Sequence, residues 1–226
     1  MKLSNDTLSV LKNFSTINEG IFIKRGNVIE TISKQKNILA KAELKDTFDD
    51  EFGLHDLNEF LGVLSTHKDT PEIEFDDKNI LIKGLSGRSQ SKYRKSAKET
   101  ILMPPDKTVN MDNAEIVLSI TNEDLEWITR IASTLSSPNI AFVSDGVDVL
   151  IETFDSKNDA AHINSTKLNF AGTGAKYRMV FTTDNLKFIP GSYDVVISSK
   201  GIGHFKNAAM NVEYWITTEV GSKYEG

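Results

Sequence analysis

Ser4-Asn5-Asp6-Thr7-Leu8 opens a stretch in which further apolar residues follow at Leu11, Phe14 and Ile17. This spacing of three to four residues places the apolar side chains along one face of a helix. Ser4 is a favoured N-cap residue, and Asp6 falls in the first turn, where the helix dipole stabilises a negative charge. The pattern predicts an amphipathic helix over residues 4–17.

The same kind of opening recurs 117 residues later, at Thr121-Asn122-Glu123-Asp124-Leu125. Apolar residues continue from Leu125 at Ile128, Ala132 and Leu135, again with helical spacing. The pattern Thr-x-x-Asp resembles a capping box, in which the first and fourth residues cap each other's backbone. A second amphipathic helix is therefore predicted to begin at residue 121 or 122.

Three more features recur in the same order after these two helices, with an offset that grows from 117 to 128. Each copy has two strands around a glycine turn, then a short helix with the pattern Asp, Phe and a final aliphatic residue, and then another strand. The paired segments are 20–31 and 140–153, 56–61 and 184–189, and 72–75 and 193–197. Small loop insertions account for the drift in offset, so the sequence predicts an α+β fold made of two tandem copies of a two-helix unit.

The segment that connects the two copies is Ile-Leu-Met-Pro-Pro-Asp-Lys-Thr, residues 101–108. Two consecutive prolines stop regular structure and favour an extended conformation. We therefore predict a domain boundary near residue 108, with an N-terminal domain over 1–108 and a C-terminal domain over 109–226.

Composition narrows the class of protein. The chain has 226 residues, enough for two domains of roughly 110 residues that each bury a core. It has no cysteine, which excludes disulfides, thiolate nucleophiles and thiolate metal sites. No apolar run approaches the roughly 18 residues of a membrane span, and the N-terminus lacks the apolar core of a signal peptide, so the expected location is the cytosol.

The net charge of −6 is distributed unequally between the two copies. Residues 1–110 carry 17 basic and 17 acidic groups, whereas residues 111–226 carry 9 basic and 15 acidic groups. Because affinity for a polyanion comes chiefly from Lys and Arg, the first half is the less repelled by DNA.

Convergent catalytic groups are not found in the sequence. The four histidines occur singly, and the carboxylates of residues 49–51 and 76–77 are expected in turns, where Asp bonds to nearby backbone. We therefore predict a protein that is not an enzyme and that has neither a metal nor a cofactor. Trp127 and Trp215 are expected in the core.

Three patches of sequence resemble one family. The N-terminal pattern Met-Lys-Leu-Ser-x-Asp-Thr-x-x-x-Leu-Lys-Asn-Phe, the pattern Asp-Leu-Asn-x-Phe-Leu at 56–61 and Ile-Pro-Gly-x-Tyr at 189–193 are similar to the sliding clamps of T4-like bacteriophages. The resemblance extends over the whole chain, and residues 83–100 depart from it most. It implies the DNA clamp fold with antiparallel sheets, and a ring-shaped homotrimer whose helices line a hole for duplex DNA.

The resemblance also implies partners. A clamp of this family is a DNA polymerase processivity factor: it binds the C-terminal peptide of the replicative DNA polymerase, is loaded by a clamp-loader ATPase, and works in the cytoplasm of the infected bacterial host. It also serves late viral transcription with a sigma factor and a coactivator. The edges that close the ring are expected near residues 87–103 of one chain and 161–171 of the next.

Candidate site residues follow from these expectations. The side chains expected to face DNA are polar or basic and lie on or near the predicted helices: Ser9, Lys12, Asn13, Thr16, Lys68, Thr129, Arg130 and Lys187. Contacts of this kind are made to phosphates and read no sequence. Ile101, Leu102 and Met103 are candidates for a partner-peptide cleft, with buried packing between the two copies as the alternative.

Two interpretations stay open at this point. The basic run from Lys83 to Lys98 either contacts DNA or an acidic partner at the mouth of the ring, or is a solvated hairpin and loop. The whole chain is either a clamp or a duplicated β-rich phage structural or adaptor protein that does not encircle DNA, because edge strands that pair between subunits serve both.

Overall fold

The computed structural model describes residues 1–67, 70–106, 109–158 and 160–226. The contacts divide the chain into two compact units. Unit 1 comprises Met1–Asp106 and Met210–Val212, and unit 2 comprises Lys107–Ala209 and Glu213–Gly226. The predicted boundary at residue 108 lies outside the described residues.

Unit 1 combines helices with short antiparallel sheets. Within the described residues its elements are α1 (Asn5–Ile17), β1 (Ile21–Ile23), β2 (Gly26–Ile32), β3 (Ile38–Phe48), β4 (Phe52–Leu54), α2 (Leu57–Ser65), β5 (Glu72–Phe75), β6 (Asn79–Lys83) and β7 (Gln90–Arg94). The helices predicted from residues 4 and 56 and the strand predicted at 72–75 are confirmed as α1, α2 and β5. A short 3-10 turn at Lys98–Thr100 follows β7.

β1 and β2, the two strands predicted around the glycine turn at Gly26, belong to different strand pairs. β1 pairs with β4, and β2 pairs with β3. Gly26 has a φ of 118°, which an L side chain rarely adopts, so glycine allows the chain to change partner there. A third sheet has the strand order β5-β6-β7.

Unit 2 has one long helix. Within the described residues its elements are β8 (Ile116–Ile120), α3 (Asn122–Leu135), β9 (Asn139–Asp145), β10 (Asp148–Phe154), β11 (Asn164–Ala171), β12 (Lys176–Thr182), β13 (Tyr193–Ser198), β14 (Ile202–Asn207), β15 (Val212–Thr217) and β16 (Lys223–Glu225). One sheet has the order β11-β10-β9-β12-β16, and in the other β13 lies between β8 and β14, with β15 beyond β14. α3 packs on β10 and β11.

Capping fixes the starts of α1 and α3, as the sequence predicts, and also the start of α2. The Ser4 side chain accepts a hydrogen bond from the backbone of Thr7, and Asp56 accepts one from Glu59. Thr121 and Asp124 form the full capping box: the backbone N–H of Asp124 donates to Thr121 Oγ1 at 3.1 Å, and the backbone N–H of Thr121 donates to Asp124 Oδ2 at 3.4 Å. Such caps satisfy backbone N–H groups that have no partner in the helix.

Each unit has its own apolar core. In unit 1, Leu11 and Phe14 of α1 are fully buried where α1 packs on β2 and β3. In unit 2 the core is a cluster of aromatic rings from five strands and one loop: Phe142, Phe181, Phe188, Tyr193, Phe205 and Tyr214. Burial raises the pKa of the Tyr193 hydroxyl to about 12, and this hydroxyl donates to the carbonyl of Ile189.

The helix predicted at residues 184–189 is wrong. The structure has only a 3-10 turn there, Thr183–Asn185, and the chain then continues without regular structure to β13. Pro190 disfavours the helical conformation at residue 189, and Asp184 and Asn185 favour turns, so too few residues are left for a helix. Leu186 and Ile189 instead insert into the core of unit 2.

None of the described helices is long and apolar enough to cross a membrane.

Candidate nucleic-acid interface

α1 presents one polar face to solvent. Asn5, Ser9, Lys12 and Thr16 are exposed and follow one another at helical spacing, while Asn13 is half-buried beside them. Lys12 forms no salt bridge with any residue in the described ranges. Ser9, Lys12 and Thr16 thus form one surface with a single positive charge.

A carboxylate on β3 holds the start of α1 in place. Asp46 accepts a hydrogen bond from the backbone N–H of Ser4, at 2.7 Å. Burial raises the pKa of the Asp46 carboxyl, but hydrogen bonds from Ser4 and Thr7 outweigh it, so the pKa lies below its usual range. The ionised carboxylate therefore holds the first turn of α1 at neutral pH.

α2 lies against α1 and adds little charge to this surface. It exposes Asn58, Gly62 and Ser65 in one stripe, with Glu59 next to them. The predicted DNA-facing residue Lys68 lies outside the described residues.

α3 provides the helix face of unit 2, and this face is more acidic. Arg130 is exposed together with Glu123 and Glu126. Thr129 is half-buried, and its hydroxyl donates to the carbonyl of Leu125 at 2.7 Å. Lys187 follows the 3-10 turn and is half-buried, so it does not extend a helix face as predicted.

The prediction that Trp127 lies in the core is wrong. Its side chain is 38% exposed on α3, at the start of an apolar flank that continues through Ile131 to Leu135, which is 37% exposed. We call these three residues the α3 flank. Trp127 and Ile131 each precede a residue of the buried stripe, Ile128 and Ala132, so helical spacing alone does not separate the flank from the stripe. Leu135, which the spacing assigned to the buried stripe, lies on the exposed flank instead. Trp215 is half-buried and stacks on His204, with ring centroids 4.6 Å apart.

The histidines do not form a metal centre within the described residues, which hold no group of three or more potential ligands. His204 lies 2.9 Å from a carboxylate oxygen of Glu213. Burial lowers the pKa of the His204 ring, although Glu213 acts in the opposite direction.

The three predicted cleft residues differ in accessibility. Ile101 is buried, and it packs so closely on Gly53 that a Cβ there would lie 2.5 Å from its Cδ1 atom. Leu102 is 39% exposed and Met103 is half-buried. Only Leu102 and Met103 therefore present apolar surface to a partner.

Part of the basic segment is neutralised within unit 1. Lys83 pairs with Glu74, and Lys95 pairs with Asp50 at 2.6 Å. Lys92 and Arg94 are exposed on one face of β7 and form no salt bridge with the described residues.

Two strands that the sequence singled out lie at sheet edges. β7 is the last strand of β5-β6-β7, and β11 is the first strand of β11-β10-β9-β12-β16. Ile163, just before β11, is 66% exposed. Edge strands carry backbone N–H and C=O groups that can pair with another chain.

Comparison with known proteins identifies the family to which the chain belongs. The family model described as DNA polymerase processivity factor matches residues 4–103. The sliding clamp of Enterobacteria phage T4 is 31% identical and that of Escherichia phage RB69 is 30% identical, each covering 100% of both chains. A solved structure of A. fulgidus PCNA bound to the C-terminal region of FEN-1 has the same fold, with a TM-score of 0.69, 12% identity and 96% of each chain covered. The chain belongs to the sliding-clamp family of T4-like bacteriophages, the DNA polymerase processivity factors.

Proposed function

We propose that this sliding clamp is a homotrimer that closes into a ring around duplex DNA and tethers the replicative DNA polymerase to it. The observation that carries the proposal is the pair of edge strands: β7 belongs to unit 1 and β11 to unit 2. A contact between β7 of one copy and β11 of the next joins two different surfaces, so it is a heterologous, head-to-tail contact. Heterologous contacts generate a closed ring when the rotation from each copy to the next leads back to the first copy.

Apolar surface beside β11 supports this contact. α3 packs on β10 and β11, and its flank of Trp127, Ile131 and Leu135 is left open to solvent beside them. Ile163 adds a further exposed apolar side chain at the start of β11. Exposed apolar groups around a free strand edge are what a chain-to-chain contact buries.

The polar helix faces suit a duplex that moves. Ser9, Lys12, Asn13 and Thr16 on α1 and Thr129 and Arg130 on α3, with Lys187, would contact phosphates without reading bases. Few of these residues are charged, and Glu59, Glu123 and Glu126 oppose them. Contacts this weak are exchanged at little cost, so the ring slides rather than binding at one place.

A net charge of −6 gives the protein little affinity of its own for DNA. Its residence on DNA is then topological, and opening the ring requires an active partner, a clamp-loader ATPase. Once the polymerase is tethered to the ring, its rebinding to the template becomes intramolecular and needs no strong contact with DNA.

Leu102 and Met103 are the accessible apolar residues for a partner peptide. The solved PCNA structure holds the C-terminal region of FEN-1, which shows that a protein of this fold binds a C-terminal segment. We assign the same use to this chain, with the C-terminal peptide of the polymerase as the ligand. A sigma factor and a coactivator of late transcription would use the same peptide site, in the cytoplasm of the infected host. The protein itself carries out no reaction.

The mass in solution tests the assembly. Sedimentation equilibrium at micromolar concentration is expected to give about 75 kDa, three times the 25.1 kDa chain. A monomer, or an open-ended series of masses, would favour the alternative of a structural or adaptor protein that does not encircle DNA.

A further inference from the structure

A groove of about 530 Å³ lies in unit 1 between α1, α2 and the start of β5. Its walls are mainly apolar, formed by Leu3, Leu8, Leu61 and Ile73. This volume falls in the range of roughly 300–1,000 Å³ that is typical of small-molecule sites.

Gly62 keeps the groove open. It lies inside α2, where glycine costs about 1 kcal/mol relative to alanine. A Cβ built at this position has no other atom within 4 Å, so packing does not require glycine here. The missing side chain widens the groove at a cost to helix stability.

Lys12 gives the described part of the groove lining a positive charge. The lining, taken over the described residues, contains Lys12 and His67 but no carboxylate, although the chain carries 32 Asp and Glu residues. Lys12 is exposed at its edge and has no salt bridge within the described ranges. The Nε2 atom of His67 is buried and has no hydrogen-bond partner among the described residues, while Nδ1 lies 3.1 Å from the Ser89 hydroxyl.

We propose that this groove binds a small amphipathic anion, an apolar body that carries one carboxylate or sulfonate group. The apolar part packs between Leu8, Leu61 and Ile73, and the anionic group pairs with Lys12. An apolar body supplies affinity by burial, and the ion pair fixes its orientation.

Occupation of the groove has a consequence that rests on the proposed function. Lys12 is one of the proposed DNA-facing residues, so a bound anion cancels a positive charge that faces the duplex. The free protein and the DNA-bound ring would then differ in affinity for the ligand, with the DNA-bound ring the weaker. Binding to the free protein is measured without DNA, so its failure is distinguishable from failure of the ring proposal.

The test uses two probes of this chemistry, 8-anilinonaphthalene-1-sulfonate followed by fluorescence and decanoate followed by displacement of that dye. Both are expected to bind the full-length protein at one site per chain. Gly62→Leu fills the groove and Lys12→Gln removes the cation, and each is expected to weaken binding by about tenfold or more. Gly62→Ala and Lys41→Gln are the matched controls, because alanine leaves most of the groove open and Lys41 is an exposed cation on β3.

Near-ultraviolet circular dichroism checks that each variant is folded. Failure of both probes to bind the parent protein overturns the proposal. Binding that is unchanged in folded Gly62→Leu also overturns it, since the dye would then lie elsewhere.

Discussion

Replacing Phe205 with alanine is expected to lower the free energy of unfolding by about 3–5 kcal/mol, because a large cavity opens in a close-packed core. Phe205 is fully buried and contacts the rings of Phe142, Phe181 and Phe188, with centroid distances of 6.2, 5.6 and 4.8 Å. The ring also lies close to Gly203, where an added Cβ would be 3.0 Å from it. Urea denaturation at a fixed protein concentration measures the change, since assembly contributes to apparent stability.

Val220→Ala is the control for this substitution. Val220 is fully exposed in the turn before β16, so its truncation is expected to change stability by no more than about 0.5 kcal/mol. A loss below about 1.5 kcal/mol for Phe205→Ala would mean that the aromatic cluster is not the packed core described for unit 2.

Placing carboxylates beside β11 is expected to dissociate the trimer. Leu135→Asp on the α3 flank and Ile163→Asp before β11 each bring an unpaired charge into the surface that we assign to the chain-to-chain contact. A buried unpaired charge costs several kcal/mol, and about 3 kcal/mol raises a dissociation constant roughly 150-fold. The double variant is expected to sediment near the 25.1 kDa of one chain at concentrations where the parent protein is trimeric.

Val220→Asp is the matched control, an exposed valine changed in the same way outside this surface. It is expected to keep the mass of the parent. If the double variant stays trimeric and its circular dichroism is unchanged, β11 and the α3 flank are not part of the chain-to-chain contact.

Elements that depend on local chemistry could be predicted from the sequence. α1 and α3 begin where Ser4 and Thr121 cap them, and most of the apolar residues at helical spacing are buried. Leu8 and Leu135 are the exceptions, since Leu8 is half-buried and Leu135 is exposed. α2 and β5 were also predicted, from the pattern Asp, Phe and a final aliphatic residue at 56–61 and from the strand that follows it at 72–75. These features depend only on residues that lie within about one helical turn or one strand of each other in the sequence.

The failures depend on tertiary structure. The similarity between residues 56–61 and 184–189 predicted two equivalent helices, but Pro190 and the burial of Leu186 and Ile189 prevent the second. Trp127 was assigned to the core because tryptophan is apolar, yet it lies on a helix flank that unit 2 does not cover.

The candidate site was predicted only in part. The polar face of α1 follows from its amphipathic pattern, whereas the edge positions of β7 and β11 came from family resemblance. The accessibility of Ile101, Leu102 and Met103 could not be read from three consecutive apolar residues, since it depends on packing against Gly53. The groove beside Gly62 was missed because it exists only when α1 and α2 lie side by side.

Encirclement of DNA is tested most directly by retention on a closed circle. Labelled protein is loaded onto nicked circular DNA with its loader ATPase, isolated with the DNA by gel filtration, and then followed after a single restriction cut. A ring that holds DNA topologically stays on the uncut circle and slides off the ends once the DNA is linear. Equal retention on the circular and the linearised DNA would contradict the account.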